Sequence, residues 1–545
     1  MVAVQDFFVP RHAQEALEES GRYVEEEREL APGVRGLHLR TDVGVVRTIG
    51  QALRRRAARS PRLSVKPEGL AERLAGVRLL VSEFASRDSA SRRELMELLP
   101  RITGFPREMI AVILSSLEAL LSGDAEQAPG LPTNAAAGRY VPRGSGYVRY
   151  FPGRFGFSLS GMLAGIGLAN RAITVLPLTG LPRVVANVAA GNVPGIALLQ
   201  AFYSVAVGAA SIGKNSSAEP CFATAVMEGA RRLEQERGLF PLTDFMAVVT
   251  FTREDRPALS ELIAQGDHLQ VTGGLDARRE VAGIVRHHRL RRLRHLRRRV
   301  TGNWHKVSFD LVTAEMLELP DAEMVAHGVA MDNSMFNTQG CLSAQQVFVE
   351  GPVDRVLEFA GTLATRMAEV ADRLPKGEDP TEGLREMYTH YEGKPGCAIL
   401  TRLGEMAEHP FFVACDTAPR EFGVFNALNR SILVRRIPNV NYLAEMLRRV
   451  PDRDLLQSCG LAVGASRLLS TAEMLGRAGV TRIVSVGDIW NLRPDLDSWD
   501  GNLKPLDLIA PKLGYWTTLR FRDPRAELAE VYQRNRRLLA EGADL

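Results

Sequence analysis

The sequence predicts an α/β protein, with two successive sheet-bearing blocks behind an N-terminal helical region. Three observations predict it. From about Arg183, short β-rich runs alternate with segments of helical periodicity. A second strand-and-helix block follows, from about Val307 to Pro505. Residues 1 to about 140, by contrast, are charged and mostly helical in pattern. Strands interleaved with helices at this spacing imply a parallel sheet covered on both faces.

The elements follow in order. Glu94–Leu99 and Met109–Leu121 carry apolar residues at helical spacing. Residues 128–146 are rich in Pro, Gly, Ala and Asn and read as a linker. Strands are expected at Arg183–Val188, Ala210–Lys214, Phe245–Phe251 and His268–Thr272. Helices are expected at Pro194–Val207, Cys221–Arg237, Arg256–Ala264 and from Asp276. No GxGxxG fingerprint follows the first strand, so a standard dinucleotide fold is not the simplest reading. The expected divisions are 1–140 (helical region and linker), 141–306 and 307–515 (the two α/β blocks), and 516–545 (a C-terminal helical tail).

The chain's 545 residues suffice for two or three domains and a large core. Its apolar fraction of 45% and charged fraction of 24% are those of a globular protein. A net charge of +4 is small for this length and gives no argument for nucleic-acid binding. The five cysteines include no CxxC pair, so neither a disulfide framework nor a structural metal site is expected. A reduced, cytoplasmic setting fits, and the first twenty residues lack the apolar core of a secretory signal. The stretch from Val184 to Gly213 is uncharged and long enough to cross a bilayer. Asn187, Asn192, Pro194 and Gln200 within it favour buried strand, turn and helix, so no membrane span is expected.

Four segments carry chemistry. In Phe336-Asn337-Thr338-Gln339-Gly340-Cys341 a cysteine sits in a Gln-Gly turn between an expected helix and a β-rich run. A thiolate there could form a covalent acyl intermediate, although a cysteine alone is more simply a small buried hydrophobe. In Gly191-Asn192-Val193-Pro194-Gly195, Asn192 could offer an amide to an oxyanion, or the segment could be only a turn. In Lys214 to Pro220, a lysine at a strand end precedes Ser216 and Ser217. This suits a ribose or phosphate, or else a polar loop capping the next helix. Gly273-Gly274 lets a pyrophosphate approach the backbone, and is otherwise a turn.

Together, these segments resemble the aldehyde dehydrogenase superfamily in order and spacing. They are most similar to its acyl-CoA reductases of the bioluminescence (fatty acid reductase) type. The Gly-Asn-Val-Pro-Gly turn, the lysine with its Ser-Ser-x-x-Pro, and Gln-Gly-Cys-x-Ser-x-Gln before a Val-Phe-Val-Glu strand carry the likeness. So do Arg477–Ile483, Gly487 and Trp499-Asp500-Gly501. The likeness covers about residues 100 to 515.

The resemblance implies an aldehyde-dehydrogenase-like fold with a Rossmann-like cofactor-binding domain and a catalytic cysteine domain. It implies reduction of a long-chain acyl-CoA or acyl carrier to an aldehyde. Cys341 matches the nucleophile and Asn192 the oxyanion donor. Lys214 matches the lysine on the adenosine ribose. Ser217 stands where NAD-preferring relatives carry a glutamate, which favours NADPH and leaves NADH open. Gly273 and Gly274 fall in the cofactor turn, and Glu421 is a faint counterpart of the glutamate that orients the nicotinamide ribose. An acyltransferase or acyl-activating subunit and a homo-oligomer are the implied partners.

One departure concerns the hydrolytic glutamate of the superfamily. The corresponding stretch here is Val307–Val312, with the shorter Asp310, and His305 is a second candidate base. Loss of that base disfavours aldehyde oxidation, the alternative activity; a non-catalytic acyl-binding protein is the other alternative. The basic run Arg286–Arg299 reads first as a solvated face or oligomer contact, next as a binder of CoA phosphates or an acidic carrier, and last as a nucleic-acid contact, which the low net charge disfavours.

Overall fold

The computed structural model describes residues 4–60, 90–122, 182–291, 300–491 and 518–543. Short breaks fall within these ranges, and single residues are described between 76 and 89. The expected linker, most of the basic run and Trp499-Asp500-Gly501 lie outside the described residues.

The N-terminal part holds α1 (Arg11–Glu19), the strands β1 (Glu25–Ala31) and β2 (Val34–Leu39), and α2 (Val43–Arg59). It continues with α3 (Ala90–Thr103) and α4 (Arg107–Ser122). The described part of this region is mostly helical, as expected, and the antiparallel β1–β2 hairpin is the element the sequence did not announce. Its Glu-rich first strand is held by long-range partners that local propensity does not report. Arg28 on β1 and His38 on β2 both reach the fully buried carboxylate of Asp6. A Cβ at Gly36 would lie 2.3 Å from the Val4 carbonyl, so only glycine admits the chain that crosses there.

Next come β3 (Val184–Val188), α5 (Ile196–Ala206), β4 (Ala210–Lys214), α6 (Phe222–Arg237), β5 (Met246–Val249), α7 (Arg256–Gln265), β6 (His268–Thr272), α8 (Leu275–Arg291) and β7 (Val300–Asn303). The strands pair in parallel in the order β5-β4-β3-β6-β7. The first four residues of β3, β4 and β6 are buried, as a sheet covered on both faces requires. The order reverses beside β3, which opens a crevice at the carboxyl ends of β3 and β6. The N-terminal stretch belongs to this layer. Phe8 pairs with Val248 at the β5 edge, and Arg54 on α2 holds Asp267, whose carboxylate also accepts from the Arg183 and Val184 amides.

The second block runs β8 (Val307–Val312), α9 (Asp321–Ser334), β9 (Ala344–Glu350), α10 (Val353–Arg373), α11 (Leu384–Tyr391), β10 (Cys397–Ile399), β11 (Phe412–Asp416), β12 (Ser431–Ile437), α12 (Val440–Arg448), β13 (Leu456–Ala462), α13 (Leu468–Ala478), β14 (Arg482–Ser485), β15 (Thr518–Leu519) and α14 (Pro524–Ala543). Its eight strands run β10-β11-β12-β9-β8-β13-β14-β15, parallel except for the β10 edge. Phe309, Phe348 and Phe422 pack edge-to-face and stacked on one side of this sheet. Among the described residues no helix is long and apolar enough to cross a membrane. The uncharged stretch from 184 to 213 is instead β3, α5 and β4.

Candidate active site

Cys341 lies in a turn between α9 and β9, and its position is fixed from several sides. Ser308 on β8 donates to the Cys341 carbonyl at 2.8 Å. Ser343 donates its backbone N–H to the Gly340 carbonyl at 3.0 Å and its hydroxyl to the Met335 carbonyl at 3.1 Å. Asn192, from the turn after β3, donates its amide to the Gln339 carbonyl at 2.6 Å. A Cβ at Gly340 would touch Val193 at 3.6 Å. The two blocks thus meet where the asparagine turn closes on the cysteine turn.

A cavity of about 880 Å³ opens at this junction. Cys341, Asn192, Gly273 and Gly274 all line it. Apolar walls come from Ile113 on α4, Ile196, Leu199 and Tyr203 on α5, and Phe336, Leu342 and Trp490. A Cβ at Gly274 would meet nothing within 4 Å, so this glycine leaves open room above the strand end. The side-chain carbonyls of Gln200 and Gln270 are buried in the lining, with no hydrogen-bond donor among the described residues. His305, exposed, also lines the cavity, and Glu386 on α11 is its one carboxylate among the described residues.

Lys214 ends β4 beside this crevice without lining it; the Ala189 amide donates to its carbonyl at 3.1 Å. Its ammonium lies 5.3 Å over the Phe251 ring and bonds the Asn215 carbonyl, with no ion pair among the described residues. Burial pulls it below the usual lysine range, opposed by the charges of Glu280 and Glu254. Ser217 is exposed on the loop that follows. Gly191 is where that loop meets the asparagine turn, since a Cβ there would lie 2.3 Å from the Ser216 hydroxyl oxygen. Glu421 is not brought to the cavity. It stays exposed because its neighbour Phe422 is anchored in the aromatic cluster with Phe309 and Phe348.

Asp310 is fully buried in β8 and is absent from the cavity lining. Burial, and then the adjoining Asp332, push its carboxyl well above the carboxylate range, which favours its neutral form. Asp332 accepts the backbone amides of Gly487 and Ile489 at 2.5 and 2.9 Å, in the turn that leads to Trp490.

Two residues of the site carried no signal as motifs. Glu219 accepts the Phe222 amide at 2.7 Å at the start of α6. Burial raises its carboxyl to about 8, against backbone N–H groups of Phe222, Gly195 and Cys221 that favour its charged form. It thereby ties the lysine loop to Gly195, whose φ of +87° needs glycine. Arg430, fully buried at the start of β12, reaches the segment before Cys341 from 93 residues away. Sequence proximity could reveal neither link in full; only the Ser-Ser-Ala-Glu-Pro spacing hints at Glu219 as a cap.

A family model for acyl-CoA reductases (LuxC) matches residues 179–509. No curated protein matches the chain. Among solved structures, an oxidoreductase from Marinobacter aquaeolei superposes with TM-score 0.62 at 11% identity, covering 93% of this chain and 97% of that one. A salicylaldehyde dehydrogenase from Pseudomonas putida G7 gives 0.58 at 13%, covering 96% of each. An NAD-dependent aldehyde dehydrogenase from Sinorhizobium meliloti gives 0.56 at 16%, covering 87% and 85%. The fold is that of the aldehyde dehydrogenase superfamily, and the chain belongs to the acyl-CoA reductase (LuxC) family, an oxidoreductase family.

Proposed function

We propose that this enzyme reduces an acyl thioester, from a long-chain acyl-CoA or an acyl carrier, to the aldehyde through an acyl group carried on Cys341, with NADPH as reductant. The observation that supports reduction over aldehyde oxidation is the condition of Asp310. Oxidation ends with water attacking the acyl-enzyme, the step for which the superfamily keeps a glutamate; His305 and Glu386 line the cavity, but neither stands at that position. Asp310, at the corresponding position, is fully buried against Asp332 and outside the cavity, and burial pushes its carboxyl up towards the neutral form.

The residues present fit a nicotinamide cofactor. Gly273 and Gly274 would take its pyrophosphate, and Lys214, with the neutral Ser217 beside it, its adenosine ribose. The buried carbonyls of Gln200 and Gln270 offer acceptors for its N–H or O–H groups. A carboxylate at Ser217 would repel a 2′-phosphate; a hydroxyl does not. Such a cofactor would supply hydride to an acyl group carried on Cys341, releasing aldehyde and the cysteine thiolate.

The protein's own part comes before and around that transfer. The Cys341 thiolate attacks the thioester carbonyl carbon, and the bond from that carbon to the donor sulfur breaks. The donor leaves as a thiolate and takes up the proton that the Cys341 thiol gave up. The asparagine amide has two N–H groups; one is spent on the Gln339 carbonyl and the other is assigned to the oxyanion. Apolar side chains of α4 and α5 suit a hydrocarbon chain and keep water from the acyl-enzyme.

The test follows NADPH consumption and aldehyde release across acyl-CoA lengths, for wild type and Cys341→Ala. Wild type is expected to form aldehyde and the variant to lose it by at least about 10³-fold. A Cys341→Ala protein that still forms aldehyde, or a wild type that oxidises aldehyde to acid faster than it reduces thioester, overturns the proposal.

A further inference from the structure

Two short runs of left-handed backbone face each other behind the nucleophile. Phe336, Asn337 and Thr338 have φ of 55°, 51° and 62°; Leu428, Asn429 and Arg430 have 63°, 57° and 63°. No other non-glycine residue among those described has positive φ. Such backbone is strained for any residue with a Cβ, above all for the β-branched Thr338, and persists only where its surroundings over-determine it. Phe336, Thr338, Leu428 and Asn429 line the cavity, and Cys341 follows Thr338 by three residues.

Arg430 joins the two runs. Its Nε donates to Asn337 Oδ1 at 2.9 Å, and its Nη atoms donate to the Leu374 and Pro375 carbonyls at 2.5 and 3.2 Å. Its backbone N–H donates to the Thr338 hydroxyl at 2.8 Å, which in turn donates to the Asn333 carbonyl at 2.9 Å. The guanidinium is fully buried and has no carboxylate partner among the described residues. A buried, uncompensated cation weakens a fold that an apolar side chain would stabilise better. Such a group, spent on holding strained backbone at the mouth of the nucleophile's turn, fits a role in function rather than in packing.

We infer that Arg430 is a positioning residue, acting through Asn337 and Thr338 to hold the 336–341 turn so that the Cys341 sulfur faces the substrate carbonyl. The inference rests on the proposed role of Cys341. It adds that the catalytic geometry is imposed from the start of β12, a strand that brings no side chain to the sulfur.

The test uses Asn337, where the stability account and the positioning account part. Asn337→Gly relieves the positive φ, so packing alone predicts a protein at least as stable and as active. Positioning predicts otherwise, because the acceptor for Arg430 is gone. Expected are a cooperative melt, a kcat lower by about tenfold or more with KM within about threefold, and slower iodoacetamide alkylation of Cys341. Asn337→Asp keeps an oxygen for Arg430 and is expected to restore most of both. Thr338→Val, which removes the hydroxyl between Arg430 and Asn333 at constant shape, is expected to act like Asn337→Gly, and serves in its place if that protein does not fold.

Retention of kcat and alkylation rate within about twofold in Asn337→Gly, or equal losses in the glycine and aspartate variants, overturns the inference. Alkylation needs no thioester. If wild type makes no aldehyde, the functional proposal fails while the alkylation arm still decides the role of Arg430.

Discussion

Asp310 and Asp332 meet inside the second block with neither carboxyl reaching solvent. Burial raises both carboxyls, and Asp332 is the one that accepts the Gly487 and Ile489 amides. An amide can take the place of a carboxyl that burial pushes towards its neutral form, so Asp310→Asn is expected to keep aldehyde formation within about threefold. Loss of turnover in that variant, with its melt intact, would restore Asp310 as a base. Asp332→Asn is different, because one of its two acceptor oxygens becomes a donor facing a backbone N–H. It is expected to lose about 1–3 kcal/mol in urea melts. At the site itself, Asn192→Ala removes the assigned oxyanion donor and is expected to lower kcat by about 10²–10³-fold, with little change in melting temperature. Cys341, Asn192, Gly273 and Gly274 were legible in the sequence because each sits in a short motif. The paired state of Asp310 was not, because it depends on a helix 22 residues further on.

Strands and helices of the first block were legible for a local reason. The expected strands Ala210–Lys214 and His268–Thr272 coincide with β4 and β6, and the expected helices differ from α5, α6 and α7 by at most two residues at an end. Chain covered on both faces declares itself through continuous apolar runs. The hairpin β1–β2 is the opposite case: its strands are charged, and their partners are Asp6, Val4 and each other. The close pass at Gly36 makes this testable. Gly36→Ala pushes a methyl group to within 2.3 Å of the Val4 carbonyl, so the chain there must shift. A loss of about 1–3 kcal/mol is expected, with near-normal kinetics, because the hairpin contributes no cavity residue. Unchanged stability would mean that residues 4–6 are not held against the hairpin.

Among the described residues, burial raises several carboxyls, and this sets a direction for stability against pH. Burial raises Glu219 to about 8 and Glu234 to about 7, and raises Asp310 and Asp332 as well. For each, the folded value lies above the unfolded one, so the native state holds its proton more tightly. The stability this contributes is complete below about pH 4, and is lost as pH climbs through the folded values. His327 acts the other way. Burial holds it down to about 4, so its contribution is complete above its ordinary value of 6.5 and is lost as pH falls below that. Between pH 6.5 and 8.5 the histidine is therefore silent, and the raised acids set the direction. Unfolding free energy is expected to fall across that window, with Glu219 contributing at most about 1.4 kcal/mol per pH unit. Glu219→Gln cannot ionise and is expected to flatten the slope, while keeping one oxygen for the Phe222 amide at the start of α6. Guanidinium melts of both proteins at pH 6.5, 7.5 and 8.5 measure it. Parallel slopes would show that Glu219 is charged throughout, held by the N–H groups of Gly195, Cys221 and Phe222 more strongly than burial opposes it.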